Sequence, residues 1–192
     1  MKNLMRAVIM ISILSFPLLG IAEAQSGRVV TIGNGTNYVD FTGNGKPGLV
    51  VMGHRDNFNA HSFDVVSFYL FSDPKDGSLP VWNIIPVMKK EKEQLEVIVS
   101  GGADCILHDF RLLSDSGMTP AALILADREL GSSYADLESV TFTYFYLEKN
   151  SEGIPGSPLF SFKQSRVVKS KAKYCDVGEA YQKELGIGTY KP

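Results

Sequence analysis

Residues 54–64 read His-Arg-Asp-Asn-Phe-Asn-Ala-His-Ser-Phe-Asp and form the densest polar constellation of the chain. His54, Asp56, His61 and Asp64 carry the imidazole and carboxylate groups that hold zinc in metalloproteins. The spacing argues against a metal centre, because neither H-E-x-x-H nor H-x-H-x-D occurs. The favoured reading is a loop between two apolar strands. Its amides and histidine would satisfy buried backbone groups, with His61 in a buried network. Loops on a rigid sheet carry binding residues. Arg55, Asn57, Asn59, His61 and Asp64 are therefore the residues expected to meet a ligand or partner, and no catalytic residue is expected.

A second motif, Asp-Phe-Thr-Gly-Asn-Gly-Lys-Pro-Gly at residues 40–48, resembles the D-x-[DN]-x-[DN]-G calcium loops of FG-GAP-type repeats. Asp40, Thr42 and Asn44 would supply side-chain oxygens and Lys46 a carbonyl. Gly48 stands where such repeats place a second acid, which leaves one carboxylate for a divalent cation. The favoured competing reading is a tight loop in which Asp40 accepts bonds from its own backbone. The single copy excludes a multi-blade propeller. A structural calcium is the one cofactor this sequence suggests, as part of an alternative function: a calcium-stabilised module for glycan or protein binding.

Ser72-Asp73-Pro74-Lys75 and Ser170-Lys171-Ala172-Lys173 match S-x-x-K, which in serine β-lactamases places Ser and Lys one helical turn apart. Ser72 lies in a Pro/Gly turn, K-T-G and S-D-N are missing, and G-x-S-x-G does not occur. Both matches are read as chance. Lys163, Arg166, Lys169, Lys171 and Lys173 meet no acid until Asp176. They read either as a site for an anion or acidic partner or, by preference, as an edge strand protected from aggregation.

The elements that must position these residues are mostly strands. Residues 48–53 hold a short buried strand. Residues 62–71 load both faces, which predicts a central strand covered on two sides. Residues 72–77 form a turn, and 81–87 a strand broken or edged by Pro86. Met88–Gln94 reads as a solvated turn or short helix. Residues 95–100 and 105–113 bracket Gly101-Gly102 as a hairpin, and 121–126 is a strand that could be helical. Over 139–148, Val140, Phe142, Tyr144 and Tyr146 alternate with Thr141, Thr143, Phe145 and Leu147. Residues 159–169 form another strand. Asp176 caps a helix that carries Val177, Ala180, Tyr181 and Leu185 on one side and stops at Gly186. The expected fold is all-β, a mainly antiparallel β-sandwich or open barrel with a short C-terminal α-helix.

The 192 residues are 44% hydrophobic and 21% charged with net charge −2, an ordinary globular composition that argues against nucleic acid as a partner. Lys2 and Arg6, the apolar run from Ala7 to Leu19 and Ala22-Glu23-Ala24 read as a cleaved secretory signal over residues 1–24. Residues 25–192 then form one β-rich domain, periplasmic or secreted, with no membrane span after cleavage. In an oxidising compartment Cys105 and Cys175 are expected to pair, closing a loop of about 70 residues worth roughly 4 kcal/mol. The alternative is two buried free thiols.

The order of segments carries a resemblance. DFTGNGKPGLVV at 40–51 is followed by RDNFNAHSFDVVSFYL at 55–70, GGADC at 101–105 and KSKAKYCDVGEAYQKELG at 169–186. The chain resembles the CarG-like family of carbapenem intrinsic-resistance proteins, most specifically in NFNAHSFDV. The resemblance implies periplasmic protection against a β-lactam without hydrolysis. It also implies a β-lactam or a second, CarF-like periplasmic protein as partner. It brings no assigned ligand residues.

Overall fold

The computed structural model describes residues 28–73, 77–102, 105–114 and 121–188. The expected leader at residues 1–24 and Pro74-Lys75-Asp76 of the expected turn lie outside these. Among the described residues twelve strands and one helix follow in chain order: β1 (Arg28–Val29), β2 (Gly35–Val39), β3 (Gly48–Arg55), β4 (Phe63–Ser72), β5 (Val81–Ile84), β6 (Val87–Lys89), β7 (Lys92–Gln94), β8 (Val97–Gly101), β9 (Ile106–Ser114), β10 (Ala122–Arg128), β11 (Glu138–Lys149), β12 (Phe160–Tyr174) and α1 (Val177–Leu185).

The strands form one sheet in the order β2-β3-β4-β8-β9-β10-β11-β12-β6-β7, with β5 on β4 and β1 on β9. All pairings are antiparallel except β6 with β12. The break at Pro86 curls the sheet. Ile85 N–H donates to the Phe68 carbonyl on β4 at 2.8 Å, and the next carbonyl, of Pro86, accepts from Phe162 N–H on β12 at 2.9 Å. Proline has no N–H to give, so the segment changes partner strand there. Of the two expected architectures, the open barrel describes this sheet.

Two cores result, one on each face of β9, β10 and β11. Leu123 and Leu125 of β10 join Val50, Phe68, Phe110, Phe145 and Phe162 inside the curl. Ala122, Ile124 and Ala126 face the other way and pack with Phe142, Tyr144, Val177, Ala180 and Tyr181 beneath α1. The helix starts at Asp176, whose Oδ1 accepts from Gly178 N–H at 2.7 Å, and ends at Gly186 with φ 67°. Asp176 Oδ2 also accepts from Ile106 N–H at 2.9 Å. Beside it the Cys105–Cys175 disulfide, Cα–Cα 5.5 Å, ties the helix entry to the start of β9.

Two expectations need correction. Residues 62–71 are central, but only Val66, Phe68 and Leu70 are buried; Val65, Tyr69 and Phe71 face outward and are half-buried. The strand covered on two sides is β10, because α1 packs there. Met88–Gln94 is a β6–β7 hairpin rather than a helix. Lys90 and Glu91 both take positive φ, 49° and 61°, the two-residue turn whose twist suits a hairpin. Residues 121–126 are strand. The basic run lies on β12, which beyond Lys163 pairs only with β11. Three of its four lysines are matched by acids: Lys163–Glu148 at 3.2 Å, Lys169–Glu129 at 3.0 Å and Lys173–Glu138 at 2.9 Å.

Candidate functional site

The polar loop at 54–62 is the tip of the β3–β4 hairpin, and cross-strand register accounts for its bases. His54 lies opposite Asp64, their side chains 2.7 Å apart. Arg55 lies opposite Phe63, with its guanidinium 5.3 Å from the ring centre. The tip is held by its own side chains. Asp56 Oδ1 accepts from Phe58 N–H at 2.7 Å and from the Ser62 hydroxyl at 3.3 Å. Asn59 Oδ1 accepts from His61 N–H at 2.8 Å, and Asn57 Nδ2 donates to the His61 carbonyl at 2.9 Å. These bonds hold Phe58 at φ 55° with its ring 95% exposed.

His61 does not sit in a buried network. It is exposed, and its ring rests 4.7 Å from that of Tyr134 in the β10–β11 loop. Its Nδ1 lies 3.4 Å from the Gly101 carbonyl at the end of β8. A hairpin tip has few neighbours to cover a side chain, so polarity there reflects solvent. Tyr134 also lies against Gly102, where a Cβ would come within 3.0 Å of it. Gly101 admits no side chain, since a Cβ would meet the Cys105 carbonyl at 2.2 Å. Three segments thus converge: the β3–β4 tip, the β8–β9 turn and the β10–β11 loop.

Three adjoining clefts open around this convergence, and Ser100 lines each of them. One, about 200 Å³, adds His54, Asn59 and Asp64. Another, about 300 Å³, adds His61, His108, Arg128, Leu130 and Tyr134. The third, about 370 Å³, adds Lys89, Glu96, His108 and Asp127. In the last, the Asp127 carboxylate bridges Lys89 Nζ at 2.6 Å and His108 Nδ1 at 3.0 Å. Burial pushes the Asp127 carboxyl up, but the bonds from His108 and Lys89 outweigh it and hold the group below its usual range.

The β10–β11 loop is pinned from within. Asp136 accepts from the Ser132 hydroxyl at 2.6 Å and from Ser132 and Ser133 N–H at 2.7 and 2.9 Å. Those bonds lower its carboxyl to about 2. Arg128, 2% exposed, donates to the backbone carbonyls of Asp136 and, at 2.8 Å, Tyr134.

The expected residues separate into roles. Asn57 and Asn59 hold the hairpin, while Asn59, His61 and Asp64 also line clefts. Arg55 packs on Phe63. Lys89, Ser100, His108, Asp127, Arg128 and Tyr134 were not singled out from the sequence. One signal was present: His108, Asp127 and Arg128 are charged or polar residues inside otherwise apolar strands. The Asp40 loop lies outside the three clefts. Asp40 Oδ1 accepts from Thr42 N–H at 3.0 Å and Gly43 N–H at 2.9 Å, and Oδ2 from Gly45 N–H at 2.6 Å. The Thr42 hydroxyl donates to Asn44 Oδ1 at 2.6 Å, which also takes Lys46 N–H at 3.1 Å. Among the described residues no cluster of three or more His, Cys, Asp or Glu is placed to hold a metal ion. No described helix is long and apolar enough to cross a membrane.

Comparison with known proteins matches the chain to a family. The family model described as "Carbapenem resistance protein CarG-like" matches residues 32–183, which includes every cleft-lining residue named above. A solved structure, the crystal structure of CarG, is 26% identical with a TM-score of 0.65, over 81% of this chain and 94% of that one. No curated protein matches the chain. The family match spans far more than half of the sequence, and the chain belongs to the carbapenem resistance protein CarG-like family.

Proposed function

We propose that this protein acts outside the cytoplasm, giving protection against carbapenem β-lactams by binding rather than by hydrolysis, and that it binds through the clefts around Ser100. Membership of a family described by carbapenem resistance supplies the antibiotic class. The observation that carries the binding site is the convergence of two braced loops, with Gly101 and Gly102 between them, on adjoining clefts of about 200, 300 and 370 Å³. Pre-formed concave sites with a few fixed polar groups are how small ligands are held. The bracing also suits recognition of a second periplasmic protein. Phe58 and Ile106 stand exposed at the rim, and exposed aromatic and aliphatic groups supply interface area.

The test is expression in a carbapenem-sensitive strain with the drug in the medium followed chemically. Tolerated dose is expected to rise while drug concentration stays constant. Unchanged tolerance, or loss of drug that tracks the amount of protein, contradicts the reading.

A further inference from the structure

Among the described residues, Arg128 is a cation buried without an anion. The side chain is 2% exposed, and its two described partners are the backbone carbonyls of Tyr134 and Asp136. Among the described residues, its Nε has no hydrogen-bond partner. Carbonyl oxygens accept hydrogen bonds but carry no net charge, so the guanidinium remains uncompensated at a depth where charges need compensation.

Two neighbouring acids among the described residues, Asp127 and Asp136, are occupied elsewhere. The Asp136 carboxylate takes Ser132 and Ser133, and only its backbone carbonyl meets Arg128. Asp127 is next in sequence, but on a strand its side chain points to the opposite face. There it binds Lys89 and His108. Among the described residues no ion pair includes Arg128.

Arg128 lines the cleft of about 300 Å³ together with His61, His108, Tyr134, Leu130 and Ser100. One permanent cation, a hydroxyl donor, aromatic faces and an apolar wall are the recognition chemistry for a carboxylate on a small, partly apolar molecule. Guanidinium binds carboxylate with particular strength, because a planar fork of N–H donors meets two oxygens. A volume at the lower end of ligand sites limits the guest to a compact acid.

We propose that this cleft is a binding site for small organic carboxylates, with Arg128 as the charge that anchors the carboxylate. The proposal rests on the binding function above and names its ligand class. The test is an NMR titration of the isotope-labelled, disulfide-intact protein with sodium benzoate and, separately, with neutral benzamide. Benzoate is expected to shift the amides of residues 100–102 and 129–136 saturably, and benzamide to bind at least about tenfold more weakly. Equal affinity for the two, no saturation with benzoate, or shifts confined to the lysines of β12 would overturn it. The two proposals fail separately. Protection in cells without benzoate binding leaves a partner-binding protein. Benzoate binding without protection leaves a carboxylate site with another ligand.

Discussion

Arg111 and Arg128 lie on neighbouring strands, are 4% and 2% exposed, and each carries an Nε without a partner. Their settings differ. Arg111 is paired with Asp109, donates to the Phe110 carbonyl at 2.6 Å, and lies 4.5 Å from the ring centre of Tyr181 on α1. Its charge is answered by a carboxylate of its own strand and by an aromatic face of the helix. Among the described residues, Arg128 has carbonyls alone. One arginine is complete within the fold, where it fastens the helix to the sheet. The other is left with a charge that nothing described in the fold neutralises, beside a cleft. A buried charge with its own counter-ion is compensated within the fold; the proposed carboxylate would supply the counter-ion that Arg128 lacks among the described residues.

The largest effect should come from breaking the complete pair. Asp109→Ala leaves Arg111 buried and alone and is expected to cost about 3–5 kcal/mol in urea unfolding. The double variant Asp109→Leu with Arg111→Met should recover most of that, since apolar side chains of similar size replace buried pairs with little loss. A cost below about 1 kcal/mol for Asp109→Ala would mean that the pair fastens nothing. Next comes the ring beneath Arg111. The Tyr181 hydroxyl donates to the Ile124 carbonyl at 2.8 Å and lies 3.3 Å from that of Asp109. Burial pushes its phenol well above the ordinary range, so it stays a donor at all working pH values. Tyr181→Phe is expected to cost about 1–2 kcal/mol by the same measurement.

Acid separates the two regions further. Burial raises the Asp109 carboxyl more than Arg111 lowers it. A raised acid contributes stability that is fully present below its unfolded value and lost as pH climbs through the folded one. Asp127, Asp136, Glu184 and Asp40 run the other way. At Asp40, burial raises the group, but the N–H donors of Gly45, Thr42 and Gly43 more than offset it. At Glu184 the Tyr174 hydroxyl and the Ala172 and Lys171 N–H groups do the same. Lowered acids stabilise above their unfolded values and lose that contribution as pH falls through the folded ones. Four groups against one predict a melting temperature that drops from near pH 4 toward about 2, the value of Asp136. In the Asp109→Leu, Arg111→Met protein the drop should be steeper, because the one opposing group is gone. A melting temperature that rises over this window contradicts the assignment. The smallest effect belongs to His61→Ala, expected within about 0.5 kcal/mol of the parent because the ring is exposed.

What the sequence made legible was local. Alternation over 139–148 placed Val140, Phe142 and Tyr144 on the face that α1 covers, and Phe145 and Leu147 on the other. Asp176 and Gly186 bound the helix as capping chemistry requires. The two cysteines met. What stayed hidden was set by distance along the chain. The outward residues of β4 look like core because they are apolar, and only the position of a helix a hundred residues later shows that β10 is the covered strand. The site divided in the same way. The hairpin at 54–62 announces itself by polar density. Arg128, His108 and Lys89 lie one or two to a strand and become a site only when β6, β9 and β10 are brought together with the β10–β11 loop.

The distinction between the two arginines is tested most directly by urea unfolding of the parent, Arg111→Met and Arg128→Met proteins, each with and without saturating benzoate. A ligand that binds only the folded state raises its stability. Without benzoate, Arg111→Met is expected to lose about 3–5 kcal/mol by leaving Asp109 unpaired, and Arg128→Met about 1–2 kcal/mol through its two carbonyl bonds. With benzoate the parent and Arg111→Met should both gain stability and Arg128→Met should gain none. Equal losses without ligand, or an undiminished gain in Arg128→Met, would contradict the division of roles.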